Sequence, residues 1–247
     1  MSAEDRVARD KARFDEWARH AATSGETPAI DAATVVVLRD GDDGLETLML
    51  RRNSKIAFGG MWVFPGGRVD PDDWRGGDDP LAAARAAAVR EAQEEAALAI
   101  AEPDLVLFAH WIPPPIAPKR YATWFFAAGV DDHVHTIDDG EIIDSDWMTP
   151  ATCLGRHHEG EVELAPPTWV TLHSIRQQRS VDTALDLLRH RPPRHHATRI
   201  VPTDNGPIAM WDGDAGYETI DHTIVGPRHR LEMFHDGYRY DDSGIVE

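Results

Sequence analysis

The stretch Arg90-Glu91-Ala92-Gln93-Glu94-Glu95-Ala96-Ala97-Leu98 closes an alanine-rich run that begins at Leu81. Alanine has the highest helix propensity, so the run predicts one helix from residue 81 to about residue 100. On it Glu91, Glu94 and Glu95 are spaced i, i+3, i+4 and leave from one face. Arg90 stands four residues before Glu94 and can pair with it, whereas Glu91 and Glu95 have no basic residue at helical spacing. Like charges one turn apart cost roughly 0.2–0.5 kcal/mol. Anions toward a helix C-terminus lose roughly another 0.3–1 kcal/mol. A helix that carries them is either well solvated or holds a cation. Ala82, Ala86, Val89, Ala96 and Ile100 are expected to pack on a sheet, with the carboxylates on the opposite side, level with Ala84, Ala87 and Ala88.

Before this helix, Met61 to Phe64 reads as a short strand running into a Pro65-Gly66-Gly67 turn, where glycine lets backbone approach a ligand. The acidic segment Val69 to Asp79 lacks the spacing of a calcium loop and reads as a solvated loop. Asp79 followed by Pro80 is a helix start. Farther back, Ala33 to Arg39 and Glu46 to Arg51 flank Asp40-Gly41-Asp42-Asp43-Gly44 and predict a hairpin. Residues 4–20 form a charged helix with a narrow stripe of Val7, Phe14 and Trp17, suited to dock on the body or on a second copy as a homodimer. Thr23 to Pro28 is a linker.

After the helix, Leu105 to Trp111 and Tyr121 to Gly129 read as strands around a proline-rich loop, Ile112 to Pro118. Asp131 to Gly140 is an acidic loop, and Glu141 to Pro150 a strand turning into a helix cap. Helices are expected from Pro167 to about Gln178 and from Ser180 or Asp182 to His190. Beyond Arg191-Pro192-Pro193 the chain changes to short β-like runs: Thr198–Pro202, Pro207–Trp211, His229–Phe234 and Tyr238–Tyr240. The domain organisation so read is an N-terminal helix and linker at 1–28, a central α/β domain at 29–190 and a β-rich extension at 191–247.

The composition is that of an ordinary globular chain of 247 residues. A formal charge of −18 argues against nucleic acid or an anionic membrane as the main partner. A small phosphorylated substrate remains compatible, because divalent metal and local arginines can reverse the sign inside a cleft. Cys153 is the only cysteine, so no internal disulfide can form; it carries no motif and reads as a buried small residue. The start MSAEDRVARDKARF lacks the apolar core of a signal peptide, and no apolar run reaches 18 residues. The expected setting is the cytoplasm.

A Pro-Gly-Gly turn followed by a helix bearing Arg90-Glu91-x-x-Glu94-Glu95 resembles the Nudix hydrolases, whose signature is Gly-x5-Glu-x7-Arg-Glu-U-x-Glu-Glu-x-Gly-U, with U a bulky aliphatic residue. The Arg-Glu-x-x-Glu-Glu core is complete and Leu98 fits the final U. Ala97 replaces the signature glycine and Ala92 the first U. Gly67 to Arg90 spans 23 positions where the pattern has 14, an insertion of nine. Eight positions before Arg90 stands Ala82, so the first glutamate is missing or displaced into the insertion. With the hairpin, the strand at Arg120 and the segment Glu141–Pro150, the resemblance covers about residues 33–190. The Phe64-Pro65-Gly66-Gly67 lead-in and the Pro166-Pro167-Thr168 helix start are most similar to the coenzyme A diphosphatase-like branch.

The resemblance implies an α/β/α sandwich with a mixed sheet, and a pyrophosphatase that uses Mg²⁺ or Mn²⁺ to cleave a nucleoside diphosphate derivative. Coenzyme A or an acyl-coenzyme A is the implied substrate; a nucleotide sugar, dinucleotide or ADP-ribose, or binding without turnover, are the alternatives. It makes Glu91 and Glu95 metal ligands, and Glu94 a further ligand, a catalytic group or the partner of Arg90. Mg²⁺ takes oxygen ligands and keeps several waters, which suits carboxylates on a rigid helix. Glu141 is the candidate distal ligand or general base, with a solvated side chain as the other reading. Arg51, Arg52 and Arg120 are candidate phosphate contacts, since a guanidinium suits phosphate, and Gly66 and Gly67 line the substrate. Trp111 and Trp124 belong to the core or to an apolar pocket. His157-His158 and His195-His196 read as incidental pairs in polar loops.

Overall fold

A computed structural model describes residues 27–53, 59–131, 141–234 and 236–245, with residues 12, 15–17, 19, 20 and 23. Residues 12, 15–17, 19 and 20 of the expected N-terminal helix are helical and the rest of it lies outside the described residues, as does the acidic loop at 131–140 apart from Asp131. The chain forms two compact units: residues 30–110 with 123–194, and residues 1–29 with 111–122 and 195–247.

The first unit is built on the hairpin of β1 (Ala29–Gly41) and β2 (Gly44–Arg52), antiparallel, with Gly41 opposite Gly44 across the two-residue turn Asp42-Asp43. Val35, Val36 and Val37 are all fully buried, so this sheet is covered on both faces and its centre reads as continuous apolar sequence. β3 (Trp62–Val63) and β7 (Ile142–Met148) pair with β2, and β4 (Gly66–Arg68) pairs antiparallel with β1. β6 (Arg120–Gly129) and β5 (Val106–Ile112) continue the order as β3-β2-β1-β6-β5, and β8 (Arg194–Ala197) follows β5. Pro65-Gly66-Gly67 is therefore not a free turn, because Gly66 and Gly67 are strand residues facing Thr34 and Ala33.

Helix α1 (Pro80–Ala96) starts as expected: the Asp79 carboxylate accepts the Leu81 N–H at 2.9 Å. It ends at Ala96, short of residue 100, because Ala97 takes the left-handed conformation with φ 55°. The Ala97 N–H donates to the Gln93 carbonyl at 3.0 Å, and the Leu98 N–H to that of Ala92 at 3.2 Å.

Ala86, Ala96 and Ile100 are buried and Val89 packs on the core as expected, but the packing face of α1 is wider than that stripe. Ala84, Ala87, Ala88, Ala92 and Ala96 are buried against Val35, Leu48, Leu50 and Phe126, while Ala82 is exposed. The stripe of Ala84, Ala87 and Ala88 continues into Glu91 and Glu95, so two of the carboxylates lie on the buried face. The physical reason is size: alanine lets the helix approach the sheet closely, and that closeness carries the next two turns under β4.

α2 (Pro150–His158) is capped by the Thr149 hydroxyl, which accepts the Thr152 N–H at 3.1 Å. α3 (Pro166–Ile175) and α4 (Val181–His190, capped by Ser180) follow. Cys153 is buried, and burial pushes its thiol up to about 12. His157 is no loose loop residue: it is buried, with Nδ1 3.2 Å from the Val162 carbonyl. Among the described residues no helix is long and apolar enough to cross a membrane.

In the second unit β9 (Arg199–Val201), β10 (Ile208–Met210), β11 (Arg230–Phe234) and β12 (Gly237–Asp241) form an antiparallel sheet in the order β12-β11-β10-β9. Arg230 grips Asp214 with two bonds of 2.6 Å, and Asp214 also accepts the Gly216 and His229 N–H groups. Burial acts to raise the Asp214 pKa, but these donors together hold it below the ordinary carboxylate value. His196 is also no incidental residue, being buried with its ring stacked on Trp111 at 3.7 Å.

Ala97 is exposed, and its left-handed backbone, which closes the helix end through the two bonds above, carries a steric cost at Cβ that glycine would not. Ala97→Gly is expected to stabilise the protein by about 0.5–1 kcal/mol, after allowing for the greater freedom of glycine in the unfolded chain. Urea unfolding of the two proteins measures this; no gain would mean that the helix end relaxes without strain.

Candidate active site

Where α1 passes under β4, two glycines make room for carboxylates. The Gly66 N–H donates to Glu95 Oε2 at 2.9 Å. A Cβ at Gly67 would overlap the Glu91 carboxylate, and one at Gly66 would strike Thr34 and the Ala33 carbonyl. Glycine at 67 therefore leaves the space that the Glu91 carboxylate fills, and glycine at 66 lets β4 lie close to β1 while its N–H reaches Glu95.

Two arginines organise the acids. Arg90 donates to Asp73 (Nη2 to Oδ2, 2.9 Å; Nε to Oδ1, 3.2 Å) and to the Arg68 carbonyl at 2.9 Å. Its Nη1 lies 2.9 Å from both Glu91 and Glu94. Arg52, at the end of β2, places Nη2 2.8 Å from Glu141 Oε2 and 3.6 Å from Glu95 Oε1. Five carboxylates thus face two guanidiniums, a local excess of negative charge.

Burial decides how these groups titrate. The Glu95 side chain is only 7% exposed, and that desolvation pushes its pKa up to about 7 against the opposing pull of the Gly66 N–H and Arg52. Burial also raises Glu91, partly offset by its hydrogen bond to Arg90. Burial acts in the same direction on Asp73, but there the Arg90 hydrogen bonds, the Asp70 N–H and the arginine charge prevail and hold it below the usual range. Arg90 is correspondingly raised, first of all by Asp73.

Of the residues expected at a site, the fold brings Glu91, Glu95, Glu141, Arg52, Gly66 and Gly67 together. Glu94 sits at the rim, 58% exposed and paired with Arg90. Arg51 is exposed. Arg120 is occupied elsewhere: it donates to the Pro113 carbonyl at 3.1 and 3.2 Å and to the Thr27 carbonyl at 2.9 Å, bracing the proline-rich loop. Trp124 stacks on His110 at 3.9 Å.

Asp73 is the residue that the count back from Arg90 passed over. It lies in the 3-10 turn Pro71–Trp74, and its side chain is 6% exposed, so the acidic segment is not a simply solvated loop. Counted forward from Gly67 with five residues between, the signature position falls on Asp73. The nine extra residues then lie between this acid and Arg90, looped out, while the acid–arginine pair stays closed.

A hard divalent cation fits this donor set. The donors are all carboxylate oxygens, negative charge is in excess, and a guanidinium already stands between Glu95 and Glu141 as an internal counter-cation. Glu91 and Glu95 would hold the ion. Among the described residues no three acidic, histidine or cysteine side chains converge into a metal-holding group.

Residues 29–167 match the family model described as the NUDIX domain. A Caenorhabditis elegans relative whose name is that of a nudix hydrolase is 27% identical over 173 residues, 55% of this chain and 57% of its own length. The chain thus spans little more than half of that relative. Among solved structures, a NUDIX hydrolase from Alicyclobacillus acidocaldarius superposes with a TM-score of 0.59 at 24% identity, covering 67% of this chain and 99% of that one. This likeness shows the fold, an α/β arrangement with a mixed sheet and helices.

Because the folded-state pKa of Glu95 lies above its value in the unfolded chain, the native state holds an extra proton between about pH 4.5 and about pH 7. Stability from this group is complete below that window and is lost as the pH rises through it, by an amount on the order of 3 kcal/mol. Urea unfolding in chelator at pH 5 and pH 8 is expected to show the loss in the wild type and a smaller one in Glu95→Gln. Equal losses would remove Glu95 as the source.

Proposed function

The chain belongs to the Nudix family, and from that membership we propose that it is a divalent-cation-dependent hydrolase of nucleoside diphosphate derivatives. The observation that carries this reading is the pair of carboxylates, buried Glu95 and half-buried Glu91, set against the backbone of Gly66 and Gly67. Such acids, with unmet charge at a glycine-lined edge, suit a cation and the diphosphate that comes with it.

The barrier to such a hydrolysis is electrostatic, since water must reach phosphorus through negative oxygens, and a chain of formal charge −18 adds to the repulsion. Mg²⁺ or Mn²⁺, when bound, neutralises phosphate oxygens and acidifies water. The protein's part is positional. Gly66 fixes one Glu95 oxygen, Arg90 fixes Glu91, and Asp73 fixes Arg90 in turn. Glu141 is the candidate to accept the proton of the attacking water, and Arg52 to meet a phosphate oxygen. Water adds to one phosphorus, the bond from phosphorus to the bridging oxygen breaks, and two phosphomonoesters leave.

Within this class we favour coenzyme A or an acyl-coenzyme A, on the resemblance of the Phe64-Pro65-Gly66-Gly67 and Pro166-Pro167-Thr168 segments to that branch. A panel of coenzyme A, ADP-ribose, a diadenosine polyphosphate and a nucleotide sugar, each with Mg²⁺, Mn²⁺ or chelator, tests the reading by chromatography of the products. Expected only with metal are two phosphomonoesters from coenzyme A, ADP-ribose or the nucleotide sugar, or a nucleoside mono- and polyphosphate pair from the diadenosine polyphosphate, and a loss of about 10²- to 10³-fold in kcat for Glu95→Gln. Binding without turnover for every pair would overturn the hydrolase. Undiminished turnover in Glu95→Gln would overturn the site.

A further inference from the structure

We propose that Arg52 is a displaceable internal cation, which holds Glu95 and Glu141 in the metal-free protein and must leave Glu95 when a divalent cation binds. The proposal rests on the reading of Glu91 and Glu95 as metal-holding residues.

The guanidinium stands where a metal would compete with it. Its Nη2 makes a short bond to Glu141 and a longer contact of 3.6 Å to Glu95, whose other oxygen is already taken by the Gly66 N–H. Glu95 Oε1 is thus held only by an ion pair beyond hydrogen-bond distance, the weakest link in the cluster. The Arg52 Nε is buried without a hydrogen-bond partner among the described residues. A structural arginine normally satisfies its donors once buried; Arg90, which meets Asp73, Glu91, Glu94 and a carbonyl, is the contrast in the same site. Arg52 is therefore charged, enclosed and incompletely bound. An anionic oxygen can accept from its spare Nε–H donor, and a diphosphate supplies several.

The exchange couples the two ligands. Metal takes over the charge of Glu95, which frees the guanidinium, and the freed guanidinium turns to the substrate phosphate. Metal and diphosphate then bind with positive cooperativity through one side chain.

Calorimetric titration with Mn²⁺ alone, without substrate, tests this in the wild type, Arg52→Gln and Arg52→Lys. Removing the competitor is expected to tighten Mn²⁺ binding by about tenfold in Arg52→Gln, with Arg52→Lys near the wild type. In the presence of Mn²⁺, α,β-methylene-ADP is expected to bind the Gln variant about tenfold more weakly. An unchanged or weaker Mn²⁺ affinity in folded Arg52→Gln overturns the proposal. Should that variant not fold, the wild type decides. The Nε–H resonance of Arg52, assigned by its absence in Arg52→Lys, is expected to shift on saturation with Mg²⁺, and a resonance that stays in place overturns the proposal. Mn²⁺ binding that is lost in Glu95→Gln but indifferent to Arg52 sinks only this inference. No Mn²⁺ binding to the wild type sinks it together with the metal-dependent reading.

Discussion

A carboxylate leaves water only when something else answers its charge, and in this protein the answer to Glu91 and Glu95 shapes everything around them. Neither has a basic partner one helical turn away. Glu91 is met by Arg90, its neighbour in sequence, and Glu95 by a backbone N–H from β4 and an arginine from the end of β2. These answers are partial, which is why burial still raises both pKa values. That incompleteness sets both acids apart from a carboxylate whose donors are all supplied by the fold.

The composition of α1 follows from the same constraint. Larger residues at 84, 87, 88 and 92 would lift the helix from the sheet and carry the carboxylates away from Gly66. Alanine at each holds the axis close, at the cost of the large side chains that usually fill a helix–sheet interface. The apolar volume comes from the sheet instead, through Val35, Val37, Leu48, Leu50 and Phe126. A cap by Asp79 at one end and a left-handed residue at the other confine the helix to the length that reaches the glycines.

Arg90 makes the site tolerant of insertion. Its guanidinium binds Asp73, a carbonyl of β4's last residue and two glutamates, so the acid at the start of the motif and the acids at its end meet through one side chain. The residues between can lengthen without moving either end, since added loop length costs little closure entropy. Asp214 and Arg230 repeat the principle in the second unit, where a buried carboxylate is fully answered and its pKa falls. The contrast between Asp214 and Glu95 separates an acid that braces structure from one with charge to spare.

Local signals determined much of this protein. The hairpin at Asp42-Asp43, the Asp79-Pro80 start, the strands on either side of the proline-rich loop and the four short strands after residue 198 are legible because turn chemistry, capping and β-branched runs act over a few residues. The Arg90–Leu98 stretch likewise placed Glu91, Glu94 and Glu95 one turn apart. How wide a face of that helix is buried was not legible, because alanine occupies both faces and gives no hydrophobic contrast. Nor were the Arg90–Asp73 and Arg52–Glu141 pairs, the engagement of Arg120 by carbonyls, or the joining of residues 111–122 with 195–247. Charge pairing across distant residues depends on where backbones cross, and only the folded chain sets that. Sequence supplied the acids and their spacing; tertiary structure decided which of them would be buried and what would answer their charge.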